Sequence, residues 1–217
     1  MYELRNHRGF TKVGRMNEPF QYCIIPSPVG ELLIAGDSTG LKVIDFQAGP
    51  HPRTPLATWV RTVRPFEEAV EQLNLYFAGQ LREFTLPLAP EGTPFQLRVW
   101  QALRTIPYGT TVSYSEIASR IGRPRAMRAV GAANGHNPIS IVIPCHRVIG
   151  KTGALVGYGG GLAIKQALLA HERRVLAALS ESHVKTSEIF RHPHKGGKAK
   201  MEKVKQNGPR CVVARDL

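Results

Sequence analysis

Hydrophobic positions alternate with polar ones early in this chain and recur at helical spacing further on. Residues 22–27, 31–35 and 41–45 read as short strands, separated by the turn formers Pro28-Val29-Gly30 and Ser38-Thr39-Gly40. A proline-rich loop follows over 49–55. Pro65 then stands at the first position of a helix with Phe66, Val70, Leu73 and Phe77 on one face, closed by Gly79. Residues 86–92, with Pro87 and Pro90, read as a domain linker. Thr93-Pro94-Phe95-Gln96 caps the next helix, which turns Phe95, Val99 and Leu103 to the core.

Ser113-Tyr114-Ser115-Glu116 is a second capping box. Its helix runs to about Ile121 and stops at Gly122; another begins near Arg125 and reaches Asn134. Two short helices across a tight glycine turn make a helix-turn-helix pattern. Many such hairpins bind nothing. Here the second helix carries Arg125 and Arg128, has no acid, and is lined by Ala126, Ala129, Gly131 and Ala132. Such a backbone can lie close against a nucleic-acid groove.

The run Ile143-Pro144-Cys145-His146-Arg147-Val148-Ile149 sets a cysteine directly before a histidine among apolar residues. The pattern predicts a buried or half-buried strand, fed by a turn at Asn134-Gly135-His136-Asn137-Pro138 and entered over 139–143. Buried cysteines are mostly inert packing. A nearby base changes that, because the thiolate is the nucleophile and His146 can take the proton directly or through one water. Asn137 alone reads as a turn asparagine bonding its own backbone, with bracing of the strand or the base as the alternative. Gly157-Tyr158-Gly159-Gly160-Gly161 reads equally as a linker or as a loop that walls a pocket with one ring. Residues 162–172 have helical period and end on Glu172, where the helix dipole disfavours a carboxylate. Glu172 is therefore either an exposed charge or is held by a partner such as His146. A Glu-His-Cys relay follows triad logic.

Composition narrows the partners. The formal charge is +13 and the pI near 10.1, which suits a polyanion. Three cysteines, odd in number and far apart, argue against a disulfide framework and for a reducing, cytoplasmic setting. No signal peptide or membrane-spanning run is expected. Residues 1–20 read as a mobile extension in which Met16 is a second candidate start. Apolar periodicity fades after Val175, and the Lys-rich stretch from Ser180 reads as disordered.

From 21 to 175 the chain resembles the O6-alkylguanine-DNA alkyltransferases, most of all the bacterial Ogt-type members. Pro144-Cys145-His146-Arg147-Val148 is the specific box. The run from Arg128 through Asn137-Pro138, the Thr93-Pro94-Phe95-Gln96 entry with Val99-Trp100, Ile106-Pro107-Tyr108-Gly109, and Ser27-Pro28-Val29-Gly30 also match. The resemblance implies an α+β protein. A small N-terminal domain over 21–90 would have an antiparallel three-stranded sheet and a helix, ribonuclease H-like. A mainly helical, winged-helix-like domain with the helix-turn-helix would cover 91–176, and a basic tail 177–217. It implies alkyl transfer to Cys145, with His146 deprotonating it through a water and Glu172 polarising His146. Asn137 would brace the turn. Tyr114 would donate to the leaving guanine, and Arg128 would fill the gap left by a flipped base. Arg125 and Ala126 would lie on the DNA-reading helix, placed in the minor groove. The carbonyls of Cys145 and Val148 would accept from the guanine amine, and the loop at Tyr158 and Gly159 would close the pocket.

The resemblance further implies duplex DNA carrying O6-alkylguanine as partner, no cofactor, and a monomer. Gly159 departs from the serine of several relatives, and Ser140 stands where some carry a proline. Cys23 has no companion set resembling the zinc ligands of other relatives, so no metal is expected. Two rivals remain: a damage-sensing DNA-binding protein, disfavoured by Cys145, and a cysteine hydrolase. Against the hydrolase, catalytic Cys and His in such enzymes usually stand far apart in sequence.

Overall fold

The computed structural model of the chain describes residues 19–191. The extension over 1–18 and the tail beyond Arg191 lie outside the described residues. Four strands open the fold: β1 Gln21–Ile25, β2 Leu32–Asp37, β3 Gly40–Phe46 and β4 Val60–Arg61, in the order β3-β2-β1-β4. The first three form the expected antiparallel meander, with Ile34 of β2 between Cys23 and Ile44. The sheet has four strands where three were expected. β4 runs parallel to β1, Val60 beside Gln21. Its two residues are exposed and too few for alternation to show.

β2 is buried on both faces, so Leu32-Leu33-Ile34-Ala35 shows no alternation. Leu32 and Ile34 join the main core, while Leu33 and Ala35 are covered with Val43 by Phe20, Tyr22, Ile24 and Trp59. A short 3-10 turn, Arg64–Phe66, carries Pro65 into α1, Glu67–Phe77, which buries Leu73 and Tyr76.

Two later segments cover the outer edge of β3. From the linker, Leu41 N–H donates to the Pro87 carbonyl and Ala89 N–H to the Leu41 carbonyl, both at 2.8 Å. Further along, Ile44 N–H donates to the Pro138 carbonyl at 2.9 Å and Ser140 N–H to the Ile44 carbonyl at 3.0 Å. The segment leading to Cys145 is thus stitched to the N-terminal sheet, and that edge is closed to other pairing.

The second half comprises α2 Pro94–Leu103, β5 Val112–Ser113, α3 Tyr114–Arg120, α4 Met127–Gly135, β6 Val148–Ile149 and α5 Leu162–Arg191. Both capping boxes form, with Thr93 and Ser113 accepting from the backbone N–H of Gln96 and Glu116. α3 and α4 are the helix-turn-helix pair. Arg125 lies in the turn before α4 rather than within it, and Ala126 at the N-cap offers no side-chain cap. β5 and β6 pair in parallel, Val112 beside Val148. One continuous core runs through both halves, from Ile34, Ile44 and Leu73 to Trp100, Val130, Ile143 and Leu168.

Two expectations about the end of the chain are corrected. The backbone stays helical to Arg191, so 180–191 is not the irregular tail that its composition suggested. Glu172 consequently sits inside α5, not at its C-terminal end. No described helix is long and apolar enough to cross a membrane.

The caps give a direct test. Thr93→Ala removes the acceptor of one box and is expected to cost about 1 kcal/mol. Urea unfolding should show a lower midpoint at unchanged slope; an unchanged midpoint would mean that the box is dispensable.

Candidate active site

Cys145 is not on a strand. Residues 139–144 turn repeatedly, and Cys145–Arg147 is a single 3-10 turn before β6. The cause is local. Ile141 holds a left-handed φ of 72°, a conformation costing about 1–3 kcal/mol for a β-branched residue. Tight bonds follow, with Val142 N–H to the Ser140 carbonyl at 2.9 Å and Cys145 N–H to the Ile143 carbonyl at 2.8 Å.

Asn137 supplies what a neighbouring strand would have supplied. Its Oδ1 accepts from Ile139 N–H at 3.1 Å, and its Nδ2 donates to the Ile143 carbonyl at 2.8 Å and to Cys145 Sγ at 3.0 Å. The thiol is 3% exposed. Burial pushes its pKa up, against the Asn137 donor and the charge of Lys165.

Behind the cysteine lies a buried charge network centred on Glu172. Its Oε1 accepts from Tyr76 hydroxyl at 3.0 Å, His146 Nε2 at 2.8 Å and Arg147 Nη2 at 2.9 Å. Its Oε2 accepts from Gly109 N–H at 2.8 Å, and Arg147 Nε reaches both oxygens. Arg147 also donates through Nη1 to the Ile106 carbonyl at 2.7 Å and stacks over the Tyr108 ring. The Ile106-Pro107-Tyr108-Gly109 motif therefore surrounds the Arg147–Glu172 pair. Gly109 must be glycine, since φ is +70° and a Cβ would come within 2.3 Å of Leu176 Cδ1.

Burial would raise the Glu172 pKa, but the hydrogen bonds from His146 and Arg147 outweigh it and hold it at about 2. His146 is pushed below its ordinary range by burial, which its Glu172 bond only partly offsets. The histidine and the thiol share no direct hydrogen bond, and His146 Nδ1, buried, has no protein partner.

Over the thiol lies the glycine loop. The Tyr158 hydroxyl is buried beside Cys145 without a well-formed hydrogen bond. The Tyr158 ring packs 5.9 Å from that of Phe46 on β3, and a Cβ on Gly160 would strike Phe46 Cδ2 at 2.5 Å. Lys165, fully buried, donates through Nζ to the Val148 carbonyl at 2.6 Å and the Val156 carbonyl at 3.0 Å. The Tyr114 hydroxyl donates to the same Val156 carbonyl at 3.2 Å. Gly159 is exposed, with the Gly135 carbonyl as its nearest neighbour.

The outer face of α4 exposes Met127, Arg128, Ala129 and Ala132, while Val130, Ala133 and Asn134 are buried. Arg128 and Tyr114 line one cavity of about 350 Å³ together with Met127, Gly131 and Lys151. Trp100 Nε1 donates to the Ala133 carbonyl at 2.9 Å and fixes α4 against α2. Ala126 and Arg125 lead into this face from the turn.

Cys145, His146, Asn137 and Glu172 thus meet in one buried cluster, and Tyr114, Val148 and Tyr158 border it. Sequence reasoning gave no role to Arg147, Lys165, Tyr76 or Asn134, whose Nδ2 donates to the Cys145 carbonyl at 3.4 Å. A signal for one of them was present. Lys165 stands seven residues before Glu172 and shares the helical stripe of Leu168 and Leu169, so it faces the core. Among the described residues no group of three or more His, Cys, Asp or Glu could hold a metal ion.

A buried thiol, a His–Glu pair behind it and a basic helix-turn-helix beside it define a DNA-directed cysteine protein. Comparison with known proteins agrees. Residues 20–90 match the family model described as 6-O-methylguanine DNA methyltransferase, ribonuclease-like domain, and 94–174 match the DNA binding domain of the same family. The chain belongs to the 6-O-methylguanine DNA methyltransferase family. It is 56% identical over 157 residues to a methylated-DNA–protein-cysteine methyltransferase of Mycolicibacterium paratuberculosis, covering 71% of this chain and 93% of that protein. A protein of the same name from Methanosarcina acetivorans is 53% identical, covering 70% of this chain and 97% of its own length. Among solved structures, Mycobacterium tuberculosis OGT in complex with DNA superposes with a TM-score of 0.67 at 52% identity, covering 71% of this chain and 94% of that one.

The network predicts acid sensitivity. Glu172 has a folded pKa of about 2 against an ordinary 4.5, so its contribution is complete above 4.5 and lost as pH falls towards 2. The lowered His146 pKa acts in the same direction, starting below its ordinary 6.5. Stability measured from pH 7 to 2 should fall most steeply below 4.5, and Glu172→Gln should flatten that limb. An equally steep limb in the variant would assign the loss to other carboxylates.

Proposed function

We propose that this chain repairs alkylated DNA by direct reversal, moving an alkyl group from O6 of guanine to Cys145 in a single irreversible turnover. The observation that carries this reading is the buried Cys145–His146–Glu172 cluster set beside an arginine-bearing recognition helix. Duplex DNA carrying O6-alkylguanine is the substrate and no cofactor is required. The protein acts as a monomer in the reducing cytoplasm, where the thiol stays free. Residues 177–217 add positive charge that attracts phosphates without sequence preference.

The chemistry follows from the geometry. The thiol is protonated at rest because burial disfavours its anion. His146, kept neutral by burial, takes the proton through a water held between Nδ1 and Sγ. Glu172 stays ionised and stabilises the imidazolium that forms. The thiolate attacks the alkyl carbon, the S–C bond forms as the C–O6 bond breaks, the electron pair passes to the guanine, and the base takes up one proton, balancing the one that left Cys145. Tyr114 donates to the leaving base once its hydroxyl is released from the Val156 carbonyl. The carbonyls of Cys145 and Val148 accept from its amine, the Cys145 oxygen in place of its long 3.4 Å bond from Asn134 and the Val148 oxygen beside its Lys165 bond. Asn137 holds the sulfur in line.

Access requires motion. With the thiol nearly closed and the Tyr158 hydroxyl beside it, the loop over 157–161 must release its ring before a base enters. The base itself must leave the stack, at a cost of a few kcal/mol. Arg128 offsets that cost by filling the gap, Arg125 by a phosphate contact, and Ala126 by letting the backbone approach.

Intact mass after mixing with O6-methylguanine duplex tests the reading. One stable methylene increment, mapped to Cys145 and absent in Cys145→Ala, is expected. An adduct on Cys23 would overturn it; that thiol is buried and its pKa is pushed up to about 11. No adduct at all would favour a damage-sensing protein.

Arg128 separates flipping from chemistry. Arg128→Ala should slow repair of duplex DNA at least about ten-fold, the equivalent of one lost contact of about 1.4 kcal/mol, and leave reaction with free O6-alkylguanine base nearly unchanged. Equal losses on both substrates would make Arg128 part of the pocket.

A further inference from the structure

We propose that Tyr76, on α1 of the N-terminal domain, is a positioning residue for the alkyl-transfer centre, whose hydroxyl holds Glu172 and so sets how readily His146 accepts a proton. The inference rests on the Cys145–His146–Glu172 relay proposed above.

Tyr76 is fully buried, and its hydroxyl donates to Glu172 Oε1 at 3.0 Å. A buried tyrosine must place its hydroxyl somewhere, so the contact alone would mean little. Its choice of atom is what matters. Oε1 is the oxygen that faces His146 Nε2 at 2.8 Å, whereas Oε2 faces the Gly109 N–H. Tyr76 and His146 therefore draw on the same negative charge. The ring has little freedom to turn away, being packed between Phe77, Phe84 and Tyr108 at centroid distances of 5.2, 5.5 and 5.9 Å. His171 Nε2 lies 2.8 Å from the Tyr76 carbonyl and fixes the backbone as well. Burial drives the hydroxyl pKa far up, so it is always a donor.

Among the described residues, the charged and titratable groups that bear on the pair are Arg147, Tyr108 and Lys165, with the His171 ring packed 5.2 Å from that of Tyr76. Arg147, from the 3-10 turn, grips Glu172 through both oxygens, and Tyr108 stands beyond it. Lys165, on α5, is the remaining cation whose charge reaches His146. None of these depends on the Tyr76 hydroxyl. Removing that hydroxyl leaves Glu172 ionised by Arg147 but concentrates its charge on the oxygen facing His146. The imidazolium is then better stabilised and the His146 pKa rises. Since the neutral ring is the working base, the rate must fall off at a higher pH than before.

The test measures alkyl transfer from free O6-alkylguanine base as a function of pH, which bypasses DNA binding. In Tyr76→Phe the acid limb is expected to move up by roughly half to one pH unit. Below the limb the rate drops about three- to ten-fold, and the plateau above it changes by less than about two-fold. A fluorinated tyrosine at position 76 keeps the shape and strengthens the donor, so it should move the limb the opposite way; it also serves if the Phe variant folds poorly. A limb that stays in place in either folded variant, or a rate lowered equally at every pH, overturns the proposal and leaves Tyr76 as packing. A wild-type profile with no acid limb overturns the relay itself, and this inference with it.

Discussion

The buried carboxylate of Glu172 is the constraint on which the rest of the structure depends. An ionised group with no exposure is tolerated only when its oxygens are fully engaged. Here the donors come from α1, from the turn after α2, and from the 3-10 turn that carries Cys145. Each must be placed to within a few tenths of an ångström. Satisfying one charge therefore fixes the relative positions of both domains, the histidine beside the nucleophile and the helix that carries the carboxylate. Such pairs add little net stability compared with an apolar core; their effect is on uniqueness of arrangement.

Strain near the nucleophile has the same logic. Ile141 is held in a left-handed conformation, and the side chain of Asn137 takes over backbone bonding that a sheet would normally provide. The result is a sulfur whose position is set by a polar side chain rather than by a ladder. Buried neighbours on every side make that arrangement hard to relax.

Much of this was legible in the residues. The two capping boxes, the antiparallel meander and the helix-turn-helix were readable because each rests on local chemistry within four or five positions. The Cys145, His146, Glu172 and Asn137 cluster was legible through its motif. What escaped was set by long-range contact. β4 is too short to have a period. The 139–143 run is apolar enough for a strand but is bent by Asn137 and Ile141. Arg147 and Lys165 received no role because their carboxylate and carbonyl partners are distant in sequence. Glu172 looked terminal only because hydropathy fades before the helix does.

The covered edge of β3 has a consequence for how the chain is made. Its backbone partners are Pro87 and Ala89, then Pro138 and Ser140. During synthesis the N-terminal sheet emerges first, with that edge open and the Tyr76 hydroxyl without its carboxylate. The Leu41 end of the edge stays open until Ala89 has emerged, its Ile44 end until Ser140 has, and the hydroxyl waits for Glu172. Nascent chains are thus exposed to strand-to-strand association between ribosomes on one message, and the hazard ends when the second half docks.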